Sequence, residues 1–168
     1  MYPEGEPKKG KGFSAKHGSS KASKRYIVGL VVFDGEKFLL LHRVLHWRGW
    51  EFPKGGIKEG ESIDAAIKRE LFEETGLSKL ELIGKIDELT YYDDSRNLDS
   101  FIKNFLIRVS SNNRISFEHQ AVKDGKKVIE HDDFKWCFPG EAVSLLKHKN
   151  MKETMKKAIK VLGLEISK

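Results

Sequence analysis

The chain has 168 residues, the usual size of one domain, of which 39% are hydrophobic and 33% charged. No apolar run approaches the roughly 18 residues of a transmembrane helix, and the N-terminus lacks the apolar stretch of a signal peptide. The single cysteine, Cys137, excludes an internal disulfide framework and a cysteine-cluster zinc site. We therefore expect a soluble, cytoplasmic protein.

Charge is unevenly distributed along the chain, although the net charge is only +6. Residues 1–25 and residues 145–168 each contain seven Lys or Arg and two Glu, which leaves residues 26–144 with a net charge of −4. Two interpretations of the basic ends stay open. They are either solvated, or they attract phosphate or RNA weakly.

The first part of the chain divides at about residue 24. Residues 1–24 contain few large apolar residues, so we predict a disordered basic tail, and residues 25–168 form the domain. The apolar run 26–33 predicts a strand, followed by a turn at Asp34-Gly35 and a second strand at 37–42.

The later elements follow from local signals in the same way. Residues 44–60 are predicted to form a loop with a short extended piece at 50–52, and residues 62–75 a helix that begins at the N-cap Ser62 and ends at Gly76. Beyond it we predict strands at 80–92, 100–109 and 134–138, a turn at 93–97, a loop at 111–128, and helices at 141–148 and 152–162. This order favours an α/β sandwich with a mixed β-sheet.

The predicted helix 62–75 carries an unusual face. Ile63, Ala66 and Ile67 define an apolar stripe, and its continuation at helical spacing falls on three glutamates: Glu70, Glu73 and Glu74. Clustered carboxylates repel one another, and burial makes that repulsion worse unless a cation neutralises them. A solvated acidic helix end is one interpretation. The other is a site for Mg²⁺ or Mn²⁺, which prefer oxygen ligands.

The spacing around this helix decides between the two interpretations. The segment runs Gly55, five residues, Glu61, seven residues, Arg69-Glu70-Leu71, one residue, Glu73-Glu74, one residue, Gly76-Leu77. It resembles the Nudix box, GX5EX7REUXEEXGU with U aliphatic, at every specified position. The resemblance covers about residues 26–146 and implies the Nudix α-β-α sandwich, with a mixed sheet and a catalytic loop-helix-loop.

The same resemblance implies roles for individual residues. Glu70, Glu73 and Glu74 would hold Mg²⁺ or Mn²⁺, together with the backbone carbonyl of Gly55. Glu61 would form a salt bridge to Arg69 and brace the loop-helix-loop. The implied reaction is metal-dependent hydrolysis of a nucleoside diphosphate linked to another group, with water attacking phosphorus.

Segments outside the box are similar to the asymmetric diadenosine tetraphosphate hydrolases within the Nudix family. Residues 39–43 and 50–55 are similar to the segment before the box in that group, which implies phosphate or substrate contacts for Lys54, His42 and Arg43. Tyr91 and Tyr92 are candidates for the substrate-binding tyrosine of its later strand.

The stretch 130–136, Glu-His-Asp-Asp-Phe-Lys-Trp, is similar to a further motif of these hydrolases. The match implies that Glu130 is a general base or lies near the metal, and that Phe134 stacks on adenine. Glu118 and His119 form a competing candidate for the base.

Three functions follow from these features. The first is asymmetric cleavage of a dinucleoside tetraphosphate to ATP and AMP. The second is RNA 5′-pyrophosphohydrolase activity, because residues 50–57 also resemble the equivalent segment of that group. The third is a non-catalytic nucleotide-binding module, which the complete glutamate set disfavours. The sequence leaves open the exact substrate, the phosphorus that is attacked, the number of metal ions and the oligomeric state.

Overall fold

The computed structural model describes residues 21–110, 112, 114–120 and 122–166. Residues 1–20 of the predicted tail lie outside the described residues. The first strand begins at Ser23. No helix in the described part of the chain is long and apolar enough to cross a membrane.

The described residues form nine strands and three α-helices. The strands are β1 (Ser23–Phe33), β2 (Phe38–Arg43), β3 (Gly49–Glu51), β4 (Lys54–Gly56), β5 (Glu81–Asp93), β6 (Leu98–Arg108), β7 (Val122–Lys123), β8 (Lys126–Lys127) and β9 (His131–Cys137). The helices are α1 (Ile63–Thr75), α2 (Pro139–Leu145) and α3 (Lys149–Val161), and a 3₁₀ turn (Asp94–Arg96) separates β5 from β6.

Seven of the strands form one mixed sheet. Its main path runs β3-β2-β1-β6-β5, with β4 paired to β1 and β9 paired to β2. The β1–β6 pair is parallel and the other pairs are antiparallel. β7 and β8 form a separate hairpin. The predicted mixed sheet is confirmed.

The sheet is covered on both faces, as expected for the predicted sandwich. Residues of β1 alternate between two cores because successive side chains of a strand point to opposite faces. Val28, Leu30 and Val32 pack in the core that contains α1. Val31 and Phe33 pack in the core that contains α2 and α3.

Helix α1 matches its sequence signals closely. The Ser62 hydroxyl oxygen accepts a hydrogen bond from the Ala65 amide at 3.2 Å, which caps the N-terminus. Gly76 ends the helix with a left-handed φ of 76°. A side chain would strain this conformation, so glycine suits the position.

Several boundaries differ from the predictions. Strand β9 begins at His131 rather than at 134, because the polar run before Phe134 pairs with β2. Helix α2 is shifted toward the N-terminus, since Pro139 has the fixed φ that favours the first helical turn. Strands β1 and β2 share only the pair Phe33↔Phe38, so the turn at Asp34 connects strands that soon diverge.

Candidate active site

Two of the three predicted glutamates of α1 are buried. Glu70 is 7% exposed and Glu74 is 6% exposed. The side chain of Glu73 is about one-third exposed. The apolar stripe of α1 therefore continues into buried carboxylates, which lie on the face that packs against the sheet.

Strand β4 lies directly against these carboxylates. Its pairing with β1 aligns Gly55 with Val28. A Cβ atom at Gly55 would lie less than 3.0 Å from the Glu70 carboxylate, a distance that real side chains do not tolerate. The backbone amide of Lys54 donates to Glu74 Oε2 at 3.0 Å. Glycine at position 55 thus lets the Glu70 carboxylate rest on the backbone.

Arg69 connects α1 to the preceding loop. Its guanidinium donates to both oxygens of Glu61, at 2.7 and 2.8 Å, and to the Gly56 carbonyl at 2.8 Å. It also donates to Glu70 at 2.6 Å and to Glu73 at 3.2 Å. The hydrogen bonds from Arg69 lower the pKa of Glu61 to about 2. The structure therefore contains the Glu61–Arg69 ion pair that the resemblance implies.

A second charged group comes from β2, β3 and the start of β9. Glu51 is fully buried, and its carboxylate accepts hydrogen bonds from Arg43 and from His131 Nε2, each at 2.9 Å, and from Lys54. Arg43 also donates to Glu130 Oε1 at 2.5 Å. The strand register aligns Arg43 with His131, so these side chains lie on the α1 face of the sheet.

The segment that carries Glu130 is held by a buried glutamine. Gln120 Oε1 accepts a hydrogen bond from the Glu130 amide at 2.7 Å, and Gln120 Nε2 donates to the His131 carbonyl at 2.9 Å. Gln120 is 8% exposed. The loop before β7 thereby fixes the backbone on which Glu130 lies.

The pKa is raised for some carboxylates of the site and lowered for others. Burial, and then the negative charges of Glu130 and Glu51, raise the pKa of Glu74 well above its usual value. Burial also raises the pKa of Glu70, despite the hydrogen bond from Arg69. Burial acts in the same direction on Glu51, but Lys54, His131 and Arg43 outweigh it and lower the pKa of that carboxyl.

Carboxylates outnumber cationic side chains in this region. The carboxylates are Glu51, Glu61, Glu70, Glu73, Glu74 and Glu130, and the cations are Arg43, Lys54 and Arg69. Burying such an excess of negative charge is unfavourable without a further cation. Carboxylate oxygens are the ligands that Mg²⁺ and Mn²⁺ prefer. The donor set therefore fits a divalent cation.

One group of side chains has its ligand atoms close enough to share an ion. Atoms of Glu51, Glu130 and His131 all lie within 4.8 Å of one another. His131 Nδ1 is buried and has no hydrogen-bond partner among the described residues. This group lies next to Glu74, whose pKa responds to both Glu51 and Glu130.

The predicted substrate residues near the site differ in their surroundings. The Lys54 ammonium is ion-paired with Glu51 and about one-quarter exposed. Arg43 is 4% exposed and binds the two glutamates Glu51 and Glu130. His42 lies on the opposite face of the sheet, where its Nδ1 is 2.7 Å from Asp132 and its ring contacts Trp50.

The predicted aromatic contacts lie on two different strands. Phe134, on β9, is 39% exposed, with its ring 6.3 Å from that of Phe117. Tyr91 and Tyr92 lie on β5, at the end of the sheet order opposite to β3. The Tyr92 hydroxyl donates to Asn97 at 2.7 Å.

The competing base candidates lie in the loop before Gln120. Glu118 is exposed, and the ring of His119 stacks on Phe72 with centroids 4.3 Å apart. Among the described residues, neither side chain pairs with Arg43 or Arg69, which bind glutamates of the site.

Sequence reasoning assigned no role to Glu51, His131 and Gln120. Glu51 stands between Trp50 and Phe52 in a segment predicted to be extended, and a single carboxylate between large apolar residues is a signal of a paired, buried charge. His131 and Gln120 gave no comparable signal, because each contacts a different segment of the chain. His131 bonds to Glu51, 80 residues earlier, and Gln120 bonds to Glu130 and His131, 10 and 11 residues later.

Comparisons with known proteins agree with this fold. The mixed sheet between helices and the carboxylate-rich loop-helix-loop define an α/β sandwich. Residues 23–162 match the NUDIX domain. The chain therefore belongs to the Nudix hydrolase family, and the predicted family and fold are confirmed.

Similar curated proteins include RNA pyrophosphohydrolases. That of Bartonella bacilliformis is 30% identical over 148 residues, covering 74% of this chain and 86% of the relative. That of Caulobacter vibrioides is 44% identical over 69 residues, which covers 39% of this chain and 40% of that protein's length. Among solved structures, a C. elegans Ap4A hydrolase binary complex is similar with a TM-score of 0.67 and 24% identity, covering 83% of this chain and 98% of that one.

Proposed function

We propose that this protein hydrolyses phosphoanhydride bonds of nucleoside polyphosphates with Mg²⁺ or Mn²⁺. One observation carries the proposal: Glu70 and Glu74 are buried beside Glu51 and Glu130, with raised pKa values and too few cationic partners. The complete glutamate set disfavours a non-catalytic module, because such a cluster destabilises the fold when no cation is bound.

The residues that would hold the metal are Glu70, Glu73 and Glu74, together with the Gly55 carbonyl. A bound divalent cation would neutralise the diphosphate oxygens and favour hydroxide formation from water. The arrangement of Gly55 against Glu70 and the bond from the Lys54 amide to Glu74 support this set.

The remaining charged residues have supporting roles in this proposal. Arg69 and Glu61 hold the loop against α1 through a bidentate pair. Glu130 is about one-third exposed, so it can reach a water molecule and act as the general base while Arg43 orients it. Lys54 is the most exposed of the three cations in the group and is the candidate for a phosphate contact.

The first candidate substrate is a dinucleoside tetraphosphate, cleaved asymmetrically to ATP and AMP. The half-exposed ring of Phe134, near Phe117, supports a stacking contact with adenine. Residues 130–136, which are similar to a motif of the diadenosine tetraphosphate hydrolases, include both Phe134 and the proposed general base Glu130.

The second candidate substrate is an RNA with a 5′-triphosphate end. It is favoured by the RNA pyrophosphohydrolase of Bartonella bacilliformis, which aligns with this chain over 86% of its length. Both substrates present a nucleotide polyphosphate to the same group of carboxylates, so the chemistry at phosphorus is shared.

A product assay tests the proposal. The protein is incubated with Mg²⁺ and equal concentrations of diadenosine tetraphosphate and a short 5′-triphosphorylated RNA. ATP plus AMP supports the first substrate, and pyrophosphate released from RNA supports the second. If neither substrate is hydrolysed with Mg²⁺ or Mn²⁺, the proposed function is wrong.

A further inference from the structure

Helix α3 carries a row of basic side chains on its solvent side, where Lys149, Lys156 and Lys160 are exposed and Lys152 is partly buried. Lys149, Lys152, Lys156 and Lys160 lie three or four residues apart, which places them on one side of the helix, and we call them the α3 lysine face. At 1.5 Å per residue the row is about 16 Å long. The opposite side of α3 is buried in the core through Met151, Thr154, Met155, Ala158 and Ile159.

The charges of this face are largely available to a partner. Lys149 and Lys160 form no ion pair within 4.0 Å among the described residues. Lys156 pairs with Glu153 at 3.0 Å, but both side chains are about half exposed, and such pairs contribute little. Within the described part of the chain, Lys152 donates only to the Ser144 carbonyl, at 3.3 Å.

The lysine face begins next to the candidate active site. His148, the N-cap residue of α3, packs edge-on against Trp47 with ring centroids 4.7 Å apart. The Trp47 ring lies 5.6 Å from Lys54 Nζ and 5.7 Å from Arg43 Cζ. The Trp47–His148 contact therefore joins the proposed phosphate-binding lysine to the start of α3.

We propose that the α3 lysine face binds the phosphodiester backbone of a single-stranded RNA whose 5′ end occupies the candidate active site. In this arrangement Trp47 offers a stacking surface for a nucleobase where the strand leaves the site. The inference rests on the proposed function and deepens it, because the Trp47 ring contacts both His148 at the start of α3 and the lysine proposed to bind phosphate.

Charge and burial favour RNA over a membrane surface. A row of lysines attracts a polyanion through release of its counterions. An amphipathic helix that lies on a membrane inserts its apolar face, whereas the apolar face of α3 is already packed against the sheet. A negatively charged strand in solution needs only the exposed lysines.

The test neutralises the face and measures RNA binding without turnover. We would compare wild type, K152Q/K156Q/K160Q and the control K68Q/K79Q/K126Q, which removes three exposed lysines elsewhere. The probe is a labelled 5′-triphosphorylated RNA of about 12 nucleotides, within the span of known single-strand sites. Fluorescence anisotropy with Ca²⁺ in place of Mg²⁺, so that a divalent cation still offsets the carboxylates, gives the dissociation constant at several salt concentrations.

The α3 variant is expected to bind RNA roughly tenfold or more weakly near 0.1 M salt. The slope of the logarithm of the binding constant against the logarithm of the salt concentration should be shallower by about 2, since each lost phosphate contact contributes about 0.7 to that slope. The control variant should bind like wild type. Equal binding by all three proteins, or equal weakening in both variants, would overturn the proposal. So would loss of binding to vesicles of anionic lipid in the α3 variant with RNA binding unchanged.

Turnover separates this inference from the proposed function. With Mg²⁺, the α3 variant should keep wild-type hydrolysis of diadenosine tetraphosphate and lose hydrolysis of the triphosphorylated RNA. If wild type hydrolyses neither substrate, the proposed function fails, while the anisotropy result still decides whether the face binds RNA. An equal decrease for both substrates would contradict a role confined to the RNA strand.

Discussion

At Gly55 the Glu70 carboxylate occupies the space that a Cβ atom would need. We predict that Gly55→Ala lowers kcat/KM by about 100-fold, the loss expected when a catalytic group is displaced by about 1 Å. The added Cβ would overlap the Glu70 carboxylate and force it away from β4. Steady-state kinetics on a nucleotide substrate measure the effect.

Gly56→Ala is the matched control in the same strand. A Cβ atom there would meet Arg25 at 3.6 Å, an ordinary contact. We expect activity close to wild type. If both substitutions reduced kcat/KM equally, the close approach to Glu70 would not be the cause.

Phe134 is the residue through which the proposed contact with the adenine of the substrate can be tested. Phe134→Ala is expected to raise KM for diadenosine tetraphosphate by about 5- to 150-fold, from the roughly 1–3 kcal/mol of a nucleobase-aromatic stack, with kcat little changed. Phe138→Ala serves as the control, because Phe138 is similarly exposed but contacts Lys37. An unchanged KM in Phe134→Ala would remove Phe134 from the substrate site.

At the scale of elements, the loop that ends in Gln120 positions β9. Gln120→Ala should lower kcat about tenfold, because Glu130 loses the contact that fixes its backbone. The free energy of unfolding should fall by about 1–3 kcal/mol, the cost of leaving a buried polar group unpaired. Kinetics and urea denaturation measure the two effects.

Two further variants distinguish positioning from general damage to this loop. Gln120→Glu can still accept from the Glu130 amide but cannot donate to the His131 carbonyl, so an intermediate kcat is expected. Glu118→Ala, an exposed change in the same loop, should leave kcat unaltered. A loss of stability in Gln120→Ala without any change in kcat would contradict the positioning role.

Elements were predictable where the signal was local. Ser62 and Gly76 mark the ends of α1 because capping depends on residues within one turn. Strand β9 was predicted too short, since Asp132 and Asp133 look like loop residues until β2 is present to pair with them. Tertiary pairing overrode local propensity there.

For the whole molecule, the charged groups of the site all come from residues 43–131, and the sheet begins at Ser23. We predict that removing residues 1–20 leaves kcat/KM for diadenosine tetraphosphate within about twofold of wild type, because terminal residues rarely contribute to a packed site. A larger loss would place part of the site in the removed segment.

The box spacing predicted the family, the sandwich and the Arg69 network, because all of these depend on one loop and one helix. The Arg43–Glu51–His131 group was not predictable, since it forms only where β2, β3 and β9 meet. His42 differs in its cause: it is adjacent to Arg43 in sequence, but alternation along strand β2 turns it to the opposite face.

The central claim is that the buried glutamates bind the cation used in hydrolysis, and Glu74→Gln tests it most directly. Mn²⁺ binding and hydrolysis of diadenosine tetraphosphate would be measured for wild type, Glu74→Gln and the exposed control Glu59→Gln, with circular dichroism to verify folding. We predict weaker Mn²⁺ binding and at least about 100-fold slower turnover in Glu74→Gln alone. Wild-type Mn²⁺ affinity and turnover in folded Glu74→Gln would contradict the claim.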